Sequence, residues 1–142
     1  MSQPQLWYAN GVDQAVFTRP GSGSPVLLAH ATSFHARCWN QVIAHLPGVP
    51  VVAYDLRGHG LSTKVEPPAD WFAFGRDLIA LVDRLDLRDV VAVGHSMGGH
   101  SVVMAAAQRP DRFAALLLID PVIWPRAIYH QQHFTSHPSR RR

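Results

Sequence analysis

The chain has 142 residues, of which 47% are hydrophobic and 16% are charged. This composition is typical of one globular domain, and it excludes an intrinsically disordered chain and a pair of full-sized domains. The three arginines at residues 140–142 account for the whole formal net charge of +3, so the sequence predicts no nucleic-acid-binding face.

No stretch approaches the roughly 18 consecutive apolar residues that a membrane-spanning helix needs. The N-terminus also lacks the basic and apolar regions of a signal peptide. The single cysteine, Cys38, cannot form an internal disulfide, which fits a reducing compartment. We therefore expect a cytoplasmic protein that does not bind membranes, with Cys38 as a buried or half-buried thiol.

The N-terminal part of the chain predicts a hairpin followed by a buried strand. β-prone runs at residues 6–9 and 15–18 flank Asn10-Gly11, which is a strong hairpin-turn signal. The run at residues 26–29 is continuously apolar, as in strands that are buried on both faces. It leads into a loop without periodicity.

Helical patterns then alternate with further apolar runs. Apolar residues at helical spacing predict a first helix from Trp39 to Leu46 and a longer one from Trp71 to Leu85, with Asp70 as its N-cap. The remaining strands are predicted at residues 49–54, 90–93 and 114–119.

Strands that alternate with crossover helices indicate an α/β fold with a mostly parallel sheet and helices on both faces. In such sheets, ligands bind beyond the carboxyl ends of the strands. Four segments should therefore share one edge: the loop after Ala29, the loop after Tyr54, Ser96 and Asp120.

A tight turn is predicted where the strand at residues 90–93 meets a helical pattern. The turn is Gly-His-Ser-Met-Gly-Gly, with Ser96 at its apex and glycine at Gly94, Gly98 and Gly99. Small residues let the strand and helix backbones approach, and the strained turn lifts the serine oxygen clear of the sheet. This predicts a nucleophile. The alternative is an ordinary turn in which the serine caps the helix.

Four segments together resemble the N-terminal half of the α/β-hydrolase family, in its serine-nucleophile branch. They are residues 28–30 (Leu-Ala-His), residues 55–62 (Asp-Leu-Arg-Gly-His-Gly-Leu-Ser), the glycine-rich turn and residues 118–121 (Leu-Ile-Asp-Pro). Their order and spacing match the family from about residue 5 to residue 125. The resemblance implies a truncated α/β-hydrolase fold, with its core at residues 1–125 and the start of a cap or tail at residues 126–142.

The resemblance further implies a serine hydrolase that acts on a small-molecule ester, thioester or lactone through an acyl-serine intermediate. One oxyanion donor would be the backbone N–H of Met97. The other would come from the loop after residue 29, where the family has His-Gly-x and this chain has His-Ala-Thr. The N–H of Thr32 is the candidate, and because alanine replaces glycine, Ser33 or Phe34 is an alternative.

The resemblance gives the other polar residues of this edge supporting roles. His30 would organise its loop, and Asp55, Arg57 and His59 would brace the adjoining turn. Asp120 would either be the acid of a catalytic triad or shape its loop together with the following proline.

The base of the reaction is not visible in this chain. In the family it is a histidine after the last strand, which lies further along than residue 142. His130 could substitute for it. We therefore expect an incomplete site in the front part of a hydrolase, and the alternative is a non-catalytic fragment or binding module that retains the fold.

The C-terminal region carries histidines at His130, His133 and His137, at spacing that could share a helical face. No acidic residue or cysteine accompanies them, so we predict solvated side chains, no metal site and no cofactor. The strand at residues 114–119 would leave one sheet edge unpaired, which predicts self-association.

Overall fold

The computed structural model describes residues 1–66 and 70–128. It contains six strands and three α-helices. The strands are β1 (Gln5–Ala9), β2 (Val12–Arg19), β3 (Val26–Ala29), β4 (Val51–Tyr54), β5 (Val90–His95) and β6 (Phe113–Ile119). The helices are α1 (Asn40–Ala44), α2 (Phe72–Arg84) and α3 (Met97–Gln108), with short 3-10 turns at Ala36–Trp39 and Pro110–Arg112.

The strands form one mixed sheet in the order β1-β2-β4-β3-β5-β6. The pairs β1–β2 and β2–β4 are antiparallel, whereas β4, β3, β5 and β6 run parallel. Register aligns Ala29 with Tyr54 on one side and with Gly94 on the other, and His95 with Ile119. The predicted mostly parallel sheet is confirmed, and its four candidate segments follow strand ends on the same edge.

Both faces of the sheet are packed against helices. On one face, α2 and α3 cover apolar side chains that include Leu27 and Ala92. On the other face, the Ala36–Trp39 turn and α1 pack on residues that include Leu28. Burial on both faces explains why β3, β4 and β5 are continuously apolar instead of alternating, whereas β6 is exposed in the described residues.

The region before β4 differs from the sequence prediction. The chain enters it through a 3-10 turn, and α1 ends at Ala44, so the predicted helix from Trp39 to Leu46 is divided and shortened. Trp39 and Ile43 are buried, but Val42 is 45% exposed. Cys38 is exposed as well, so the prediction of a buried or half-buried thiol is wrong.

Helix α2 begins at Phe72, one residue later than predicted, and Trp71 occupies its N-cap position in place of the predicted Asp70. The carboxylate of Asp70 accepts a hydrogen bond from the N–H of Phe72 at 2.9 Å, which satisfies a first-turn donor. None of the helices in the described residues is long and apolar enough to cross a membrane.

Candidate active site

Ser96 occupies the turn between β5 and α3 in an unusual backbone conformation. Its φ is 52° and its ψ is −113°, outside the left-handed helical region that L-residues visit. Its side chain makes no hydrogen bond to the helix it precedes, so Ser96 stands at the cap position without capping. The turn is therefore not the ordinary capped βα turn that the sequence left open.

Backbone hydrogen bonds hold this conformation from both sides. The N–H of Ser96 donates to the carbonyl of Ile119 at 3.0 Å, and its own carbonyl accepts from the N–H groups of His100 and Val122, each at 3.1 Å. A strained backbone conformation persists only where several contacts with the surrounding structure hold it in place, as these three hydrogen bonds do. The bonds also hold the segment that contains Asp120 directly beside the turn.

The glycines of the turn are required by close backbone contacts. A Cβ on Gly94 would lie 2.6 Å from the carbonyl oxygen of Gly98, and one on Gly98 would lie 2.2 Å from the carbonyl oxygen of Ala29. A Cβ on Gly99 would lie 2.8 Å from Cβ of Pro121. Strand β5, helix α3 and the loop after β3 therefore meet at distances that only glycine allows.

The loop after β3 lies against the first residue of α3. The hydroxyl of Thr32 contacts the sulfur of Met97 at 3.5 Å, and Met97 is buried. The N–H of Phe34 donates to the carbonyl of Ala31 at 3.1 Å. That bond occupies one of the three N–H groups that the sequence left open as oxyanion donors, and it leaves those of Thr32 and Ser33 as candidates.

His30 connects two loops of the site from a fully buried position. Its Nε2 accepts the N–H of Leu56 at 3.0 Å, and its Nδ1 lies 2.8 Å from the carbonyl oxygen of Ala31. These contacts assign a neutral ring with the proton on Nδ1. Burial lowers the pKa of His30 to about 4. Both nitrogens are occupied, as expected for a residue that organises its loop.

Asp55 joins the loop after β4 to the opposite side of the site. Its carboxylate accepts the N–H of Ala36 at 2.6 Å and that of Leu61 at 2.8 Å, and the side chain is buried. Ser62 reinforces the same turn, because its hydroxyl donates to the carbonyl of Asp55 at 2.5 Å and accepts the N–H of Ala15 at 2.9 Å. The sequence predicted the bracing role of Asp55 but not that of Ser62.

A buried ion pair beneath this loop was not predicted. Asp77, on α2, accepts two hydrogen bonds from the guanidinium of Arg57, both at 2.6 Å, and one from the side-chain amide of Asn10 at 2.7 Å. The side chain of Asp77 is only 2% exposed, and its hydrogen bonds raise the pKa of Arg57. The sequence did contain a signal for this ion pair: Asp77 places a carboxylate among the apolar residues of the predicted helix, three residues after Phe74.

His59 lies in the same loop and lines a cavity that is described below. Its Nδ1 is 2.9 Å from the carbonyl oxygen of Arg57, and its ring centroid is 5.3 Å from that of His30. The contact with the Arg57 carbonyl is consistent with the bracing role predicted for His59.

A cavity of about 270 Å³ opens beside Thr32 and Met97. At about 30 Å³ for each water, this volume equals roughly nine waters. Its apolar wall includes Val65, Trp71 and Phe74, and His59 contributes a polar group. The cavity is therefore suited to a small, mostly apolar group held next to Met97, the residue after the strained serine.

Aromatic rings extend from this cavity along α3. Trp71 meets Phe74, His100 and Trp124 edge to face, with ring centroids 6.0, 6.0 and 5.7 Å apart. Phe72 packs on the buried ring of His100 from another side, at 5.7 Å. Burial lowers the pKa of His100, which favours its neutral form.

Asp120 follows β6 directly, with φ of 42° and an exposed side chain. It is the residue after Ile119, whose carbonyl binds the N–H of Ser96, so the structure brings the two predicted catalytic residues to adjacent positions on the sheet edge. The histidines at positions 130, 133 and 137, and most of the predicted cap or tail segment, lie outside the described residues.

This arrangement coincides with a family match. The sequence model of the alpha/beta hydrolase family matches residues 26–142. The chain belongs to this family. Among curated alpha/beta hydrolase relatives, it is 42% identical over 106 residues to lipase LipV of Mycobacterium tuberculosis and 38% identical over 106 residues to a non-heme chloroperoxidase of Streptomyces lividans.

The structural comparison agrees. A serine-to-alanine variant of N-formylmaleamic acid deformylase from Pseudomonas putida S16 superposes with a TM-score of 0.75 at 35% identity, over 84% of this chain. The matches cover 73% and 72% of this chain for the lipase and the chloroperoxidase. The chain spans only 40% and 38% of those two relatives and 47% of the deformylase.

Proposed function

We propose that Ser96 is the nucleophile of a serine hydrolase that acts on an ester, thioester or lactone through an acyl-serine intermediate. The observation that carries the proposal is the strained, hydrogen-bonded turn in which the serine hydroxyl is not used to cap α3. Strain of this kind concentrates at functional sites. An ordinary helix cap would need no such conformation, because cap residues are normally extended.

We assign the oxyanion donors to the backbone N–H groups of Met97 and Thr32. Met97 is the first residue of α3, where N–H groups have no acceptor within the helix. The contact between the side chains of Thr32 and Met97 supports their joint role, and the turn bond of Phe34 disfavours that residue. Removal of one such donor typically costs about 2.7–4 kcal/mol in kcat.

We propose Asp120 as the acid that orients the catalytic base. Its adjacency to the Ser96 backbone and its exposed carboxylate support this role. A purely structural role in the turn at residues 120–121 is the alternative. The occupied nitrogens of His30 support the view that the base is not this histidine. In the described residues the proposed triad therefore has a nucleophile and an acid but no assigned histidine base. The chain spans only 40% of the lipase and 47% of the deformylase.

The cavity suggests where the substrate binds. It lies beside both proposed oxyanion donors, and its apolar wall suits the acyl or alcohol part of a small ester-like molecule. About nine non-hydrogen atoms correspond to its volume if each takes the space of a water.

Labelling of Ser96 by a fluorophosphonate probe tests the proposal. Because a serine without its base is a weak nucleophile, we expect slow labelling, which mass spectrometry should locate on Ser96. Labelling should be abolished in Ser96→Ala and retained in Ser24→Ala, a control at an exposed serine before β3. Turnover of 4-nitrophenyl butyrate should be slow, because loss of general base catalysis costs a factor of about 10²–10⁴. Equal labelling of the Ser96→Ala variant would contradict the assignment.

A non-catalytic binding module is the second candidate. The cavity beside Thr32 and Met97 favours it, because a cavity of this size binds a small molecule whether or not the bound molecule reacts. A folded chain that neither reacts with the probe nor hydrolyses the ester in a Ser96-dependent way would support this candidate over the first.

A further inference from the structure

Another cavity, of about 410 Å³, lies on the face of the sheet that α1 covers. Register places Arg19, which lines this cavity, beside Val51, the first residue of β4. The cavity therefore lies toward the amino ends of the parallel strands, whereas Ser96 follows the carboxyl end of β5. Four strand spacings, or about 19 Å, separate β2 from β6, so the cavity is remote from the strand at which the described sheet ends.

The lining of this cavity is rich in hydrogen-bond donors. Residues 1–3 form one wall, where the N–H of Ser2 donates to the carbonyl of Thr18 at 2.8 Å. None of the described residues that line the cavity is acidic, and two of them are arginines. The rest of the lining comes from β2 and from the segment around α1: Phe17, Arg19, Arg37, Asn40, Ile43 and Ala44. The charge of this lining favours an anion.

Arg19 supplies a positive charge that is fixed in place. Its guanidinium donates to the carbonyls of Ile43 at 2.7 Å and Val49 at 2.9 Å, and also to that of Leu46. In the part of the chain that the structure describes, its buried Nε has no hydrogen-bond partner. Carbonyl oxygens carry only partial charges, so these bonds hold the guanidinium without neutralising it.

Arg37 differs from Arg19 because its hydrogen-bond donors are available. Its guanidinium carbon lies 5.6 Å from the ring centroid of Phe17, and it has no further partner among the described residues. A guanidinium can hold a carboxylate through two parallel N–H bonds. Asn40 is exposed at the start of α1 and offers an amide N–H to the same ligand. The buried side chains of Phe17 and Ile43 add apolar surface to the cavity.

We propose that this cavity binds a small organic carboxylate with an apolar body. Arg37 holds the carboxylate through paired N–H groups, Arg19 contributes its charge, and the apolar body contacts Ile43. The cavity has the volume of roughly 14 waters, which accommodates a molecule of about nine non-hydrogen atoms such as benzoate. A neighbouring cavity also includes Arg37, but it contains the carboxylate of Asp55, which disfavours an anion. The inference does not depend on the role of Ser96.

NMR titration of the 15N-labelled 142-residue chain with benzoate tests the site. We expect a Kd of about 1 mM, with amide shifts at residues 17–19 and 37–44. Benzamide, which has the same shape without the charge, should bind at least about tenfold more weakly, the equivalent of one charge-assisted hydrogen bond. Inorganic phosphate at equal ionic strength should also bind more weakly, because it leaves the apolar surface uncovered. Equal binding of benzamide or phosphate, or shifts confined to the cavity beside Thr32 and Met97, overturns the proposal.

Variants of two exposed arginines test the role of the guanidinium. Arg37→Gln should weaken benzoate binding about tenfold, because the paired charge-assisted bonds are lost. Arg37→Lys keeps the charge but not the paired N–H groups, so its affinity should lie between those of Arg37→Gln and the wild type. Arg88→Gln, a control outside the lining, should bind like the wild type. Unchanged binding in Arg37→Gln, or equal weakening in Arg88→Gln, overturns the proposed site.

Discussion

Replacing Ser96 by glycine should stabilise the protein while removing the proposed nucleophile. A non-glycine residue in a sparsely populated backbone region costs about 1–3 kcal/mol. Glycine relieves that strain, but its greater freedom in the unfolded chain costs about 0.5–1 kcal/mol. With φ of 52° and ψ of −113° at this position, we expect a net gain of about 1 kcal/mol in the free energy of unfolding.

Ser96→Ala separates strain from the loss of the hydroxyl. Alanine keeps a Cβ and therefore keeps the strain, so its stability should stay close to that of the wild type. Asp89→Gly is a second control: Asp89 is exposed and also has a positive φ, of 50°, but aspartate tolerates the left-handed region, so the gain should be smaller.

Urea unfolding at a single protein concentration measures these differences. With a denaturant dependence of about 1–3 kcal/mol per molar, a gain of about 1 kcal/mol moves the midpoint by about 0.5 M. A Ser96→Gly variant no more stable than Ser96→Ala would refute the reasoning, because it would mean that the turn stores no strain.

Two further predictions concern buried ionisable groups. The pKa of His30 is lowered from 6.5 to about 4, so between these pH values the unfolded chain binds a proton that the folded chain does not bind. The free energy of unfolding should therefore fall by about 3 kcal/mol as pH drops from 6.5 to 4. Urea unfolding of His30→Gln should show a shallower pH dependence. An equal dependence in both proteins would contradict this origin. Asp77→Asn should lower the free energy of unfolding by about 3 kcal/mol, because it leaves the largely buried Arg57 without its counter-charge. Arg88→Gln, which removes an exposed pair with Asp86, should cause no measurable loss, and similar losses in the two variants would argue against a special role for the buried pair.

The features that local chemistry decides were predictable from the sequence. Glycine spacing around Ser96 indicated a tight strand-to-helix turn, and the continuous apolar runs indicated parallel strands, of which β3, β4 and β5 are buried on both faces. The shared edge followed from the rule that parallel strands end together. The register that aligns Ala29 with Gly94 confirms that edge.

The features that packing decides were not predictable in the same way. Four apolar residues at helical spacing suggested a longer helix before β4, but the chain forms a 3-10 turn and a short α1 that leaves Val42 exposed. Periodicity cannot distinguish these outcomes, since both place Trp39 and Ile43 against the sheet. The partners of Asp77 were equally hidden, because Asn10 and Arg57 lie far from it in the sequence.

Those separations bear on how the site forms and opens. Asn10 and Asp77 are 67 positions apart, and Arg57 and Asp77 are 20 apart, so the carboxylate gains all its partners only after the hairpin, the loop after β4 and α2 have docked. A folding intermediate that buries Asp77 before Asn10 or Arg57 is in place is unstable, because it holds an unpaired charge away from water. Amide protons of the loop at residues 55–62 should then exchange with solvent only as fast as the whole domain unfolds, so that this part of the sheet edge has no separate opening motion of its own.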